Sequence, residues 1–295
     1  MLWLLALNAC LGVLALEVQL YKLQRHRTVD ESRDNKFPSW RRHDVHNWTR
    51  ANLYPGALTV LIPRLLLMLT GVIVSILLLS IAFITGFPKD NEPITGCKIK
   101  AIQTVNKLFC MLILFVANFR VTTEEKSVDY SKYLGKGYET NASFGSYVGN
   151  HSGIMDNVML LATLGGKISS VSAILYKKMP IVNLFLYSLQ TIWVPRGGTQ
   201  AEKDQSVTLI EQRQKLTEDE GLFPPITVFA EGTTNNNRYL LPFKRGAFSS
   251  LLAVKPVVFK YHVDNCTVHP FTDVLSADEC FIMALCTFQR VNVEI

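Results

Sequence analysis

The sequence predicts an α/β domain, a largely parallel sheet flanked by helices, behind an N-terminal membrane-embedded helical segment. Two observations predict it. From about Val121 onward, short apolar strand-like runs alternate with helical stretches, the order that builds a parallel sheet. Ahead of them, Leu65 to Gly86 runs about 22 residues without a charge, roughly 33 Å as a helix, which matches the hydrocarbon thickness of a bilayer. A mean hydropathy of +0.19, with 48% of the 295 residues hydrophobic, is high for a soluble chain and agrees.

Met1 to Leu16 is apolar but lacks the basic n-region of a secretory signal, and its positive charge comes afterwards, at Lys22, Arg25 and Arg27. It reads as a signal-anchor or membrane-dipping segment. Lys22 to Pro55 is polar and reads as a linker or membrane-surface segment, with Trp40 and Trp48 suited to the headgroup level. Leu65 to Gly86 is transmembrane or re-entrant, with a bend expected near Gly71 in the second case. Leu108 to Phe119 is too short to span and is bracketed by Lys107 and Arg120, so it is expected to lie in the interface. Residues 1–100 thus form an attachment region, and residues 101–295 the α/β domain. Basic residues crowd Lys22 to Arg64, which the positive-inside rule assigns to the cytosol. A re-entrant hairpin, or a return through the Leu108 helix, would keep the later domain on that side too.

Within the domain, strands are expected at Ser143 to Gly149, Lys167 to Leu175, Thr191 to Val194, Ile226 to Ala230 and Pro256 to His262. Helices are expected at Asn157 to Leu164, Ile181 to Leu189 and Thr199 to Glu218, the last a solvated surface helix with Val207, Ile210 and Leu216 among many charges.

Asn150-His151-Ser152-Gly153-Ile154-Met155-Asp156 carries the strongest chemical signal, an imidazole and a carboxylate five positions apart at a strand-to-helix junction. In a continuous helix that spacing points the two apart, so they meet only if His151 precedes the helix and Asp156 sits in its first turn. Gly153 permits such a turn. A carboxylate on one ring nitrogen would fix the tautomer and leave the other as a general base for a hydroxyl. The structural alternative is an ordinary helix start, with Ser152 as N-cap and Asp156 favouring the dipole.

Three further stretches share the pattern of a strand end followed by small or cationic residues. Thr191 to Gly198 ends in Arg196, a bidentate donor for phosphate or carboxylate, although a turn with a surface arginine has the same sequence. Val228 to Asn236 ends a buried strand in Glu231, Gly232 and Thr233. There Gly232 lets a ligand approach the backbone, and Glu231 can bind a polyol hydroxyl or hold Arg196, while the small polar residues also suit a plain turn. Phe243 to Phe248 adds Lys244 and Arg245, and Lys255-Pro256-Val257 opens the next strand.

In this order the blocks NHSGIMD, TIWVPR, FAEGTT and KPVV resemble the glycerolipid acyltransferase family, which includes the 1-acylglycerol-3-phosphate and lysophospholipid acyltransferases. The resemblance runs from about Ala101 to the C-terminus. NHSGIMD and EGTTNN, followed by YLLPFKRGAF, look most like the lysophosphatidylcholine and lysophosphatidylethanolamine acyltransferase branch. The resemblance implies transfer of a fatty acyl group from acyl-CoA, as co-substrate, to the free hydroxyl of a lysophospholipid. His151 is then the base and Asp156 its orienter. Arg196 holds the acceptor's phosphate, Glu231, Gly232 and Thr233 help form the acceptor site, and Lys244 lies in a matching block. No cofactor and no metal are implied. The expected setting is a membrane of the endoplasmic reticulum, the catalytic domain facing the cytosol.

The chain departs from the family at Ala230, where proline usually precedes the glutamate, and at Pro195 before Arg196. It also stops at Ile295, inside what resembles a strand continuing in relatives, which fits an incomplete or shortened form. A glycerol-3-phosphate or lysophosphatidate acyltransferase remains an alternative, as does a non-catalytic membrane-binding protein of the same fold. Composition narrows the field further. A formal charge of +6 suits an anionic bilayer, and no basic-aromatic arrangement suggests nucleic acid. Six cysteines without CxxC spacing favour a reducing compartment over zinc or disulfides. No G-x-S-x-G elbow indicates a serine hydrolase.

Overall fold

The computed structural model describes residues 2–27, 30–87, 92–126, 131–135, 144–195, 199–262, 268–272 and 274–295. Helices α1 (Leu2–Leu23), α2 (Glu31–Lys36), α3 (Arg50–Thr59), α4 (Leu61–Ala82) and α5 (Gly96–Val116) come first. Then follow β1 (Phe119–Thr122), α6 (Ser131–Leu134), β2 (Ser146–Gly149), α7 (Ile154–Thr163), β3 (Ser169–Ala173), α8 (Pro180–Ser188), β4 (Ile192–Val194) and α9 (Gln200–Glu218). The chain ends with β5 (Ile226–Phe229), β6 (Val254–Val257), β7 (Lys260–His262), α10 (Ala277–Cys286) and β8 (Val291–Glu294).

Five strands form a parallel sheet in the order β4-β3-β5-β2-β6, among helices, the α/β class expected. Its register fixes the site. Gly149, the last residue of β2, pairs with Phe229 at the end of β5 and Val257 at the end of β6. The residues that follow these strands, His151 and Glu231 among them, therefore emerge together at the carboxyl edge of the sheet, where ligands of such sheets bind.

The run from Pro256 to His262 is two strands rather than one. Asn150 accepts from the Phe259 amide (2.8 Å) and donates to the Phe259 carbonyl (3.0 Å). Its side chain thus takes the place of the next backbone pairing and turns the chain out of the sheet. Lys260–His262 then joins a second, three-stranded sheet, β1-β8-β7, pairing antiparallel with β8.

Helix α9 differs from a plainly solvated helix in what it buries. Its inward face carries Ile210, Arg213, Gln214 and Thr217. Arg213 stacks on Phe223 at 3.7 Å and donates to the Gln190 carbonyl, and Gln214 donates to the Ser146 hydroxyl and the Ala247 carbonyl. These polar side chains dock the helix by hydrogen bonds, a pattern that apolar periodicity does not report.

The N-terminal helices are long. Among the described residues three helices, starting at Leu2, Leu61 and Gly96, are long and apolar enough to cross a membrane. The segment from Leu108, expected as a short interfacial helix, is the second half of the 21-residue α5. Lys107 does not end it, because the side chain is exposed. Gly71 is no bend either: α4 is continuous through it, and a Cβ there would clash with Leu112 of α5. The absent side chain lets two helices approach closely, the usual role of glycine between membrane helices. Leu79 of α4 and Phe83, just past its end, meet Ile102 of α5 further along, so the two helices form an antiparallel hairpin. Residue 100, taken as the end of the attachment region, lies inside α5.

The polar stretch after α1 is bound to the α/β domain. Leu16, Leu20 and Leu23 of α1 share a core with Trp48, Leu53 and Ala57 and with Met283 and Cys286 of α10. Trp40 Nε1 donates to the Thr234 carbonyl, and the Asn236 amide donates to the Pro38 and Arg41 carbonyls. It is therefore more than a linker.

Candidate active site

The turn from β2 into α7 brings His151 and Asp156 together. His151 precedes the helix, Asp156 occupies its first turn, and Nδ1 lies 2.7 Å from Oδ2. Asp156 is fully buried. Its Oδ2 also accepts from the amides of Ser152 (2.7 Å) and Gly153 (3.0 Å), the back-reaching half of a capping box. One carboxylate thus both starts the helix and meets the imidazole. An ionised carboxylate only accepts, so Nδ1 carries hydrogen and Nε2 is left as the basic nitrogen on the far edge of the ring. The ring stacks on Phe229 at 3.9 Å and 9°, and 19% of the side chain is open to solvent.

Gly153 serves the turn by lacking a side chain, not by conformational freedom. Its φ of 178° is ordinary extended backbone, but a Cβ would stand 2.5 Å from the Pro270 carbonyl. Thr272 N–H meets the Ser152 carbonyl at 3.3 Å, so residues 270–272 back the turn.

Glu231 is buried and holds this turn rather than facing outward. Oε1 accepts from the His151 amide (3.2 Å), and Oε2 accepts from the Leu241 amide (3.2 Å) and from Asn235 Nδ2. Burial pushes its carboxyl above the ordinary value, outweighing the two amides that lower it. Gly232 has φ +72°, and the Lys244 ammonium lies against it, 2.5 Å from where a Cβ would be. Lys244 N–H also bonds the Ala230 carbonyl at 2.7 Å. Thr233 lies between this glycine and the Trp40 contact at Thr234. Arg196 lies outside the described residues, but β4, which it follows, runs parallel to β3 and ends at the same sheet edge. Among the described residues no group of three His, Cys, Asp or Glu side chains is placed to hold a metal, and the five described cysteines are free.

Tyr261 is the residue that sequence reasoning missed. Its hydroxyl donates to Asp156 Oδ1, so the carboxylate has a donor on each oxygen. Burial, and then the Asp156 charge, push the phenol well above its ordinary value, which keeps it a donor. Tyr261→Phe is expected to lower kcat about tenfold with little change in KM, since a hydrogen bond to a charged group contributes about 1.5–3 kcal/mol. Steady-state kinetics check it. An unchanged kcat removes Tyr261 from the positioning of Asp156.

An imidazole held by a buried carboxylate thus stands at the carboxyl edge of a parallel sheet, an arrangement that can serve general-base chemistry. Residues 142–272 match the family model described as Acyltransferase. Over 148 residues the chain is 30% identical to lysophospholipid acyltransferase LPEAT1 of Arabidopsis thaliana, covering 50% of this chain and 36% of that one. Over 212 residues it is 26% identical to lysophosphatidylcholine acyltransferase 2 of Homo sapiens, covering 67% and 36%. The chain spans about a third of the length of these relatives. The crystal structure of the 1-acyl-sn-glycerophosphate acyltransferase PlsC from Thermotoga maritima aligns with a TM-score of 0.41 at 15% identity, covering 67% of this chain and 66% of that one.

Proposed function

We propose that the protein is a membrane-bound enzyme that transfers a fatty acyl group from acyl-CoA to the free hydroxyl of a lysophospholipid. The single observation that carries this reading is the His151–Asp156 contact at 2.7 Å. His151 Nε2 takes the proton of the acceptor hydroxyl as its oxygen attacks the thioester carbonyl. The ester forms, the carbon–sulfur bond breaks, and the coenzyme leaves as its thiol once protonated. Arg196 holds the acceptor's phosphate; Glu231 fixes the His151 backbone, and Gly232, Thr233 and Lys244 shape the acceptor side. The related names support a lysophospholipid acceptor. Membranes carrying the protein, given acyl-CoA and a panel of lysolipids, are expected to yield the diacyl product by mass spectrometry. Acylation of glycerol 3-phosphate or lysophosphatidate alone would replace the acceptor assignment.

The chain's own bonds support a topology. Trp40 and Asn236 tie the segment before α4 to the domain after α5, so both lie on one side of the bilayer and the α4–α5 hairpin crosses and returns. The basic residues of that segment favour the cytosol, here of the endoplasmic reticulum. Asn150, part of an N-x-S sequon, uses its amide on Phe259 and stands beside His151. It is expected to be unglycosylated, as are Asn141 and Asn265, which lie outside the described residues. Endoglycosidase treatment and protease digestion of intact microsomes check this. A glycan on Asn150, or a domain shielded from added protease, overturns the orientation.

A further inference from the structure

Beside the Glu231–Asn237 loop lies a pocket of about 80 Å³, to which the N-terminal segment contributes Arg41, Arg42, His43 and Asp44, and the loop side Asn236 and Arg238. That is several times the room a water needs and suits a group of phosphate size, not a whole lipid. None of the described residues singled out in the sequence for substrate binding lines it.

Its charge is one-sided. Among the described residues Asp44 is the one acid lining it, and Arg42 neutralises that carboxylate at 2.6 Å. Two guanidinium groups remain. Arg41 has one long ion pair, 4.0 Å to Asp34, a carboxylate that Arg33 already holds at 2.8 Å, and no ion pair engages Arg238 among the described residues. Arg41, His43 and Arg238 all line this one space, and the His43 imidazole is held below its ordinary value by burial and then by the charges of Arg238 and Arg41. Two like charges facing a shared cavity repel, and an anion between them removes the repulsion. Guanidinium forks match the oxygens of a phosphate in particular.

The pocket is coupled to the reaction centre through backbone. Asn236 spends its side-chain amide on the Pro38 and Arg41 carbonyls and accepts from the Arg238 amide, while its neighbour Asn235 donates its N–H to the His151 carbonyl at 3.0 Å. An anion held by Arg41 and Arg238 is therefore carried on the loop that touches the proposed base.

We propose that this pocket is a second phosphate-binding site, with Arg41 and Arg238 as its ligands, and that it holds a phosphate of one of the two substrates. The source is either the coenzyme's phosphates or the phosphodiester of the lysolipid. The assignment of substrates rests on the acyltransferase reading above, but the site itself does not. It also explains why the segment 38–48 is fastened to the domain, since that segment supplies one of the two cations.

The test is calorimetric titration of the detergent-solubilised full chain with 3′-phosphoadenosine 5′-phosphate and, separately, with glycerophosphocholine. Arg41→Gln and Arg238→Gln are compared with the parent and with Lys203→Gln on the exposed face of α9. The expected result is saturable binding of one probe by the parent and by Lys203→Gln, weakened about tenfold or more in each arginine variant. The probe affected identifies the source, and KM for the matching substrate rises while kcat changes little. Equal affinity of parent and both arginine variants for both probes, or no binding of either probe by the parent, overturns the site. Weakened binding in a protein that acylates no lysolipid would leave the site standing and remove the acyltransferase reading instead.

Discussion

His151→Ala is expected to lower turnover by about 10²–10⁴, equivalent to about 3–5 kcal/mol on the barrier, with the thermal midpoint close to that of the parent. In the proposed mechanism the imidazole takes the proton, and nothing else at the turn replaces Nε2: Asp156 is fully buried behind it, and both Glu231 oxygens face protein donors. What the fold loses is the stacking on Phe229 and one contact to Asp156. The carboxylate keeps the Ser152 and Gly153 amides and the Tyr261 hydroxyl, so the turn itself survives. Asp156→Asn should also be severe, because an amide presents a donor where an acceptor sets the tautomer. Product formation measured against the folded fraction decides it, and near-normal transfer by a well-folded His151→Ala protein would falsify the mechanism.

What was legible in the sequence follows from how local the signal is. The His151–Asp156 pair needed only seven residues and the rule that a spacing of five cannot close within a helix, and the structure closes it at a helix start. Strands β2 to β5 were legible because a parallel sheet buried between helices leaves apolar runs. Tyr261 was not, because it lies 105 residues from Asp156. Its approach depends on Asn150 capturing Phe259 and turning the chain out of the main sheet, a side-chain event with no periodicity. For the same reason Pro256 to His262 read as one strand. Helix α5 was cut short because Lys107 looked like an end, whereas a lysine on an exposed face does not interrupt a helix. The segment 38–48 read as a linker because its value to the fold is polar and long-range.

That polar value makes the second large prediction. Arg42→Met is expected to destabilise the protein by about 3–5 kcal/mol near neutral pH, since it strands a buried carboxylate. Arg42 and Asp44 are 5% and 8% exposed at the side chain and pair at 2.6 Å. Arg42 also donates to the Phe271 and His269 carbonyls (2.7 and 3.1 Å), while Asp44 accepts from the His269 amide (2.7 Å) and the Trp48 indole (3.2 Å). Burial alone would raise the Asp44 carboxyl; the Arg42 charge and hydrogen bond, with the His269 amide, overcome it and hold the group below its ordinary value. A depressed carboxyl contributes stability above its unfolded value and loses it as pH falls through the folded one. Without Arg42 the burial effect prevails, Asp44 protonates more readily, and the charge is no longer stranded in acid. The gap between parent and variant is therefore expected to narrow as pH falls toward the ordinary carboxylate range. The loss should also reach catalysis, because residues 269–271 carry Pro270, whose carbonyl closes over Gly153 beside His151. Thermal unfolding of both proteins in detergent across pH, with kcat measured below the variant's transition, tests both parts. A gap that is small at neutral pH, or that widens in acid, would show that the pair does not anchor this segment.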